Sequence, residues 1–166
     1  MKLAELIQQK TFASPQQEAM LSIIVTGSWL LHEMGVTMGE HSITPAQYNV
    51  LRILRGSDPN RLTCSDIGAR LLDRTPDVTR LLNRLEKAQY IVRERAKHDR
   101  RVVEVGITEK GKTLLETMHD DVETMQTRLM EHLSAAEASQ MVSLLERVRH
   151  AQHQGVSGDG AMAEPA

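Results

Sequence analysis

Along most of this chain apolar residues recur at steps of three and four, the spacing of one helical face. The sharpest contrast between faces lies in residues 75–87, where Val78, Leu81, Leu82 and Leu85 share one side and Thr79, Arg80, Asn83, Arg84 and Lys87 the other. Thr75 offers a capping oxygen and Pro76 suits the first helical position, so this helix is expected to begin there. Three further start signals precede it. Ser14-Pro15-Gln16-Gln17 reads as a capping box opening a helix whose Met20, Ile23, Ile24, Leu30, Leu31 and Met34 run to about Gly35. That helix is apolar on more than one side, and deep burial, between subunits, is expected of it. Thr44-Pro45-Ala46-Gln47 opens another, with Tyr48, Leu51 and Leu54 inward and a stop at Gly56; Thr63 caps a third, with Ile67 and Leu71 inward.

Beyond residue 87 the rhythm changes. Residues 90–95 and 102–107 read as two strands joined by the polar stretch 96–101, a β-hairpin with a basic tip. After it, Thr108 caps a long helix with a heptad-like seam of Leu115, Met118, Val122, Met125 and Leu129. Ser134-Ala135-Ala136-Glu137 starts a last helix carrying Ala138, Met141, Leu145 and Val148. The expected fold is mainly α with a small β-hairpin: a winged helix-turn-helix lobe over 44–111, with dimerisation helices at 1–35 and 112–150. The Gly-rich end, 154–166, is expected to be a disordered tail.

Composition adds two points. In 166 residues with 2% aromatics, the core must be Leu, Ile, Val, Met and Ala, which suits packed helices. The net charge of -2 hides a division: residues 61–101 hold 11 Lys+Arg against 6 Asp+Glu, and the remainder 9 against 16. The field at a phosphate backbone is set locally, so the acidic total is no objection to nucleic-acid binding. A single cysteine excludes an internal disulfide, and the first residues lack the apolar core of a signal peptide. The longest apolar run, 21–31, is interrupted and too short to span a bilayer. A cytoplasmic protein without a membrane partner is expected.

The free face of residues 75–87 presents guanidinium forks, an amide and a hydroxyl, groups that meet phosphates and base edges in a major groove. Thr75, Pro76, Thr79, Arg80, Asn83, Arg84 and Lys87 are its candidate DNA contacts, with Lys97, Asp99, Arg100 and Arg101 in the wing. Lys97 and Arg100 read as phosphate contacts. Asp99, an acid in a basic tip, is expected to hold an arginine by a charge-assisted hydrogen bond.

Leu62-Thr63, Arg74-Thr75-Pro76-Asp77-Val78-Thr79-Arg80-Leu81-Leu82, Asp99-Arg100-Arg101 and Ile107-Thr108-Glu109-Lys110-Gly111 together resemble the MarR family of bacterial transcriptional regulators. The resemblance runs from about Pro15 to Arg149. It implies a homodimeric DNA-binding regulator, usually a repressor released by a small aromatic or phenolic effector, an oxidant or a metal, with Arg101 as the minor-groove arginine. It also implies an effector cleft between the dimer helices and the DNA-binding lobe, where Trp29, His32, Met34, Met38 and His41 would converge.

Other chemistry finds little support. Cys64 near a helix start invites a redox reading, but the family's peroxide-sensing cysteine lies near the start of the first long helix, where this chain has none. His32 with Glu33, Glu40 with His41, and His119 with Glu123 invite a metal reading, yet no two histidines stand four apart on one helix. The expectation is no metal, no cofactor and no catalytic residues, since phosphate-loop, Gly-x-Ser-x-Gly and His-Glu-x-x-His patterns are missing. The rival reading is a winged-helix protein-interaction module.

Overall fold

The computed structural model describes residues 2–72, 77–96 and 99–154, with side chains to residue 150. Its elements are α1 (Leu3–Leu6), α2 (Pro15–Glu40), α3 (Pro45–Ser57), β1 (Leu62–Thr63), α4 (Cys64–Arg70), α5 (Val78–Lys87), β2 (Ile91–Arg95), β3 (Val103–Ile107), α6 (Glu109–Thr117), α7 (His119–Met130) and α8 (Ala135–Gln154). The chain divides into two units, Met1–Gln126 and Thr127–Ala166.

The start signals form as hydrogen bonds, with one variation. Thr44 and Gln47 close a capping box at 3.2 and 2.9 Å. Ser14 Oγ accepts from the Gln17 N–H at 3.1 Å, but the Gln17 side chain turns to the Ala13 N–H at 2.8 Å instead of closing on Ser14. The ends depart further. α2 continues past Gly35 to Glu40 and stops where Ser42 takes a left-handed φ of 59°. There the Ile43 N–H reaches the Met38 carbonyl at 3.2 Å and the Ser42 N–H that of Gly39 at 2.9 Å, a Schellman closure made without glycine. α5 ends the same way on Gln89, whose φ is 63°.

α3 is the hub of the first unit, packing against α2, α4, α5, α6 and β3. Gln47, Val50, Leu51 and Leu54 form its buried face, while Tyr48, expected inward, lies half-exposed one step round the helix. Met38, Ile67, Leu82, Leu85, Val105, Leu115, Met118, Val122 and Met125 complete this core. The hairpin is joined by a third strand that its two residues were too short to signal: the antiparallel order is β1-β3-β2, with Leu62 opposite Val105 and Ile91 opposite Ile107. The expected long helix after Thr108 is divided into α6 and α7 at Met118, though the Met118 N–H still reaches Leu114 and the Val122 N–H reaches Met118, each at 3.0 Å.

α2 is scarcely buried within this chain. Met20, Ile23, Ile24, Trp29, Leu31 and Val36 are exposed, and Met38 alone of its residues is buried. Its Gly, Ser and Thr interruptions are only weakly polar. By length and composition alone it is therefore long and apolar enough to cross a membrane, with a mean hydropathy of 1.3, contrary to the expectation from run length. In the second unit, Ser134 and Glu137 cap α8 at 3.3 and 2.9 Å, and Met141, Val142, Leu144 and Val148 are exposed on it. The expected tail from 155 onward lies outside the described residues.

Candidate nucleic-acid interface

The interface is built on α4 and α5. Thr63 Oγ accepts from the Asp66 N–H at 3.2 Å and donates to the Asp66 carboxylate at 2.7 Å, while the Thr63 N–H donates to that carboxylate at 3.1 Å. The Thr63 hydroxyl, then its backbone N–H, hold the Asp66 carboxyl below its usual value. α4 approaches α5 closely: a Cβ on Gly68 would lie 3.4 Å from Val78 Cγ2. The cap of α5 is Asp77, whose carboxylate accepts from the Arg80 N–H at 3.1 Å, and the described helix starts at Val78; the start expected at Thr75-Pro76 lies outside the described residues. A carboxylate there satisfies an orphan N–H and also favours the helix dipole, an advantage over a hydroxyl. As DNA contacts, Thr75 and Pro76 lie outside the described residues.

Leu82 and Leu85 are buried and Val78 and Leu81 half-buried, so α5 is fixed by one stripe. Thr79, Arg80, Asn83, Arg84 and Lys87 are all exposed on the opposite arc. Among the described residues no acid pairs with the side chains of Arg80, Arg84 or Lys87. Asn83 differs, since its side-chain oxygen accepts from Arg93 Nη2 on β2 at 2.7 Å. Arg93 Nε lies 3.4 Å from a Glu86 carboxylate oxygen. Spacing along the chain gives no sign of Arg93, because its partners come from another element. Nor does it mark Arg95, exposed on the same strand.

The wing closes through backbone bonds from the Ala96 N–H to Val102 at 2.9 Å and from the Val102 N–H to Asp99 at 3.0 Å. The Asp99 carboxylate accepts from the Arg101 backbone N–H at 2.9 Å. Its bond is thus to the main chain of an arginine and not to a guanidinium, as a short side chain two residues away readily forms an Asx turn. Arg100 and Arg101 are exposed; Lys97 lies outside the described residues.

A dense junction ties this lobe to α6. The Thr108 hydroxyl donates to the Gln89 carbonyl at 2.8 Å and accepts from the Gly111 N–H at 3.1 Å, the Thr108 N–H reaches the Tyr90 carbonyl at 3.0 Å, and Lys110 Nζ donates to the Ala88 carbonyl at 2.9 Å. Gly111 admits nothing larger, because a Cβ there would lie 2.3 Å from the Tyr90 carbonyl oxygen. Nearby, Asp58 and then Glu109 raise the Lys112 pKa through hydrogen bonds to its ammonium.

The expected effector cleft does not assemble within one chain. Trp29 and His41 are twelve residues apart, about 18 Å along a helix axis. Trp29 and His32 are exposed, Met34 is half-buried, Met38 is fully buried in the core, and His41 Nε2 lies 2.8 Å from the Asp121 carboxylate. A cleft of about 520 Å³ is lined by Tyr48, Arg52, Arg55, Gly56, Leu115, Glu116 and His119. Cys64 is the exposed first residue of α4. His119, Asp120 and Glu123 bring ligand atoms within 4.8 Å of one another, but all three are exposed, an arrangement common without an ion.

A short capped helix, a second helix with a cationic outer face and a three-stranded wing define a winged helix-turn-helix DNA-binding protein. A sequence model described as the MarR family matches residues 41–102. The chain is 32% identical over 115 residues to the HTH-type transcriptional regulator YkoM of Bacillus subtilis, covering 69% of this chain and 73% of that protein. Among solved structures it is similar to a MarR transcription factor from Planctomyces limnophilus, at 32% identity and a TM-score of 0.64, covering 82% of this chain and 98% of the other. It is also similar to a mutant MarR from E. coli complexed with operator DNA, at 26% identity and a TM-score of 0.69, covering 76% and 89%. The chain belongs to the MarR family, and it is a DNA-binding transcriptional regulator.

Proposed function

We propose that this regulator is a homodimeric, cytoplasmic repressor that binds a pseudo-palindromic operator and is released by a small effector. One α5 enters the major groove at each half-site, with Thr79, Arg80, Asn83, Arg84 and Lys87 facing the duplex, and Arg101 of each wing enters a flanking minor groove. The observation that carries this reading is the outer arc of α5, whose Arg80, Arg84 and Lys87 pair with no described acid while its apolar stripe fixes the helix from behind. Cations left unpaired on a rigid element suit a polyanion, because binding then breaks no ion pair.

Dimerisation would bring the two helices to successive turns of the duplex. The exposed apolar residues of α2 supply a surface that a second copy would cover, and membership of a DNA-binding family favours that cover over a bilayer. The proposed dimerisation segments remain 1–35 and 112–150, flanking a DNA-binding lobe at 44–111. The effector would seat in the cleft beside Tyr48, Arg52 and Leu115, since it lies where α3 of the DNA-binding lobe meets α6. A ligand preferring one separation of the two lobes would shift the population between bound and released forms.

The test is footprinting of the DNA upstream of the gene at two salt concentrations. A symmetric protected site with half-sites one turn apart is expected, and Arg101→Ala should weaken binding and lower the salt slope by about one unit. An unchanged slope would remove Arg101 from the interface. Salt-insensitive binding to a protein instead of DNA would replace the regulator reading with that of an interaction module.

A further inference from the structure

We propose that Arg93 sets the base preference of Asn83, turning its amide so that the donor end leads toward the groove. This rests on the reading that α5 enters the major groove. A guanidinium carries N–H donors and no acceptor, so the Asn83 atom held 2.7 Å from Arg93 Nη2 is the amide oxygen. Arg93 itself is committed to the helix. Its Nε is shut off from water without a hydrogen-bond partner, with the nearest carboxylate oxygen of Glu86 at 3.4 Å. Asn83 and Glu86 stand three apart on α5, neighbours on its surface, so one fork faces both. Pairing with Val105 on β3 fixes the backbone of Arg93 from the other side.

An asparagine that selects adenine uses both ends of its amide: the oxygen accepts from N6–H and the nitrogen donates to N7. With its oxygen turned toward β2, Asn83 leads with its amino group. That group suits acceptors, namely N7 of either purine, O6 of guanine or O4 of thymine, and it opposes the amino group of cytosine. Asn83 therefore accepts A and G about equally where a freely turning asparagine would select A.

The experiment is selection from randomised duplexes by the full-length protein. Asn83→Ala marks the base pair that residue 83 reads. Arg93→Met, checked for an unchanged thermal transition, is expected to raise the A-over-G preference at that pair about tenfold, the effect of one added base-edge hydrogen bond. Base preferences at other positions should stay within about twofold. Arg93→Lys, which keeps a donor to the oxygen, should retain the wild-type preference, and Asn83→Ala with Arg93→Met should match Asn83→Ala alone. If Arg93→Met weakens all sites equally with preferences unchanged, Arg93 is a structural brace and the proposal fails. It fails too if Asn83→Ala changes no position while the wild type still selects a motif. A wild type that selects no motif overturns the regulator reading itself.

Discussion

Gly111 shows how much a single hydrogen in place of a methyl group decides. It is the third residue of α6 and sits against the Tyr90 carbonyl, where three chain segments meet. Adding a methyl group would push it into backbone, and also within 2.8 Å of Ile107 Cγ1, so relief requires moving α6 or β3 and not merely a rotamer. Gly111→Ala should destabilise the fold by about 3 kcal/mol, the upper range of core overpacking, read as a lowered urea midpoint. A change under about 0.5 kcal/mol would mean that the junction is loose. The Thr-x-x-Gly pattern was visible in the chain, but the reason for its glycine was not, since Tyr90 lies twenty-one residues away.

At the scale of elements, helix starts were the most legible feature. Hydroxyl residues followed three positions later by Gln, Asp or Glu became paired hydrogen bonds at Thr44, Thr63 and Ser134. At α5 the described helix is capped by the Asp77 carboxylate, a start signal that spacing of apolar residues does not single out. Helix ends were less legible. The usual stop signal is glycine, yet α2 and α5 end on Ser42 and Gln89 in left-handed conformations while Gly27, Gly35 and Gly39 lie inside a helix. β1 leaves no signal in the chain, since two residues carry no periodicity. The Thr63–Asp66 cap also predicts a pH dependence. The Asp66 pKa is lowered on folding, so the unfolded chain binds the proton more readily; the cap's contribution is full above the ordinary carboxylate value, about pH 4, and is lost as pH falls through the lower folded value. Asp66→Asn should remove that dependence, so that wild-type and variant urea midpoints converge as the solution is acidified. Midpoints that stay parallel across this range would place the acid sensitivity elsewhere.

For the molecule as a whole, the candidate interface was half legible. Its exposed arc on α5 followed from spacing alone, because a helix of ten residues with one apolar stripe leaves only one other face. The partners of Asn83 and Asp99 did not follow, since they depend on strand register and turn geometry. The residues expected around an effector, from Trp29 to His41, are spread along α2 and its cap, so their convergence depends on a second body. The exposed α2 surface bears on assembly. Ile24→Glu with Leu31→Glu should convert a dimer to a monomer by sedimentation and weaken operator binding by roughly 100-fold, since two half-sites would no longer be engaged together. A variant that remains dimeric would assign the interface to other surfaces.

The Thr108 junction has a mechanical consequence. β3 carries the wing outward for five residues from that anchor, so the tip stands about 16 Å away at the usual strand rise. A rotation of α6 of only about 5° would then swing the tip through roughly 1.4 Å, enough to carry a 2.9 Å hydrogen bond beyond its useful range. Anchored at Thr108 and Gly111 and steadied by β1 at Glu104 and Val105, the wing would act as a short lever on any movement of α6.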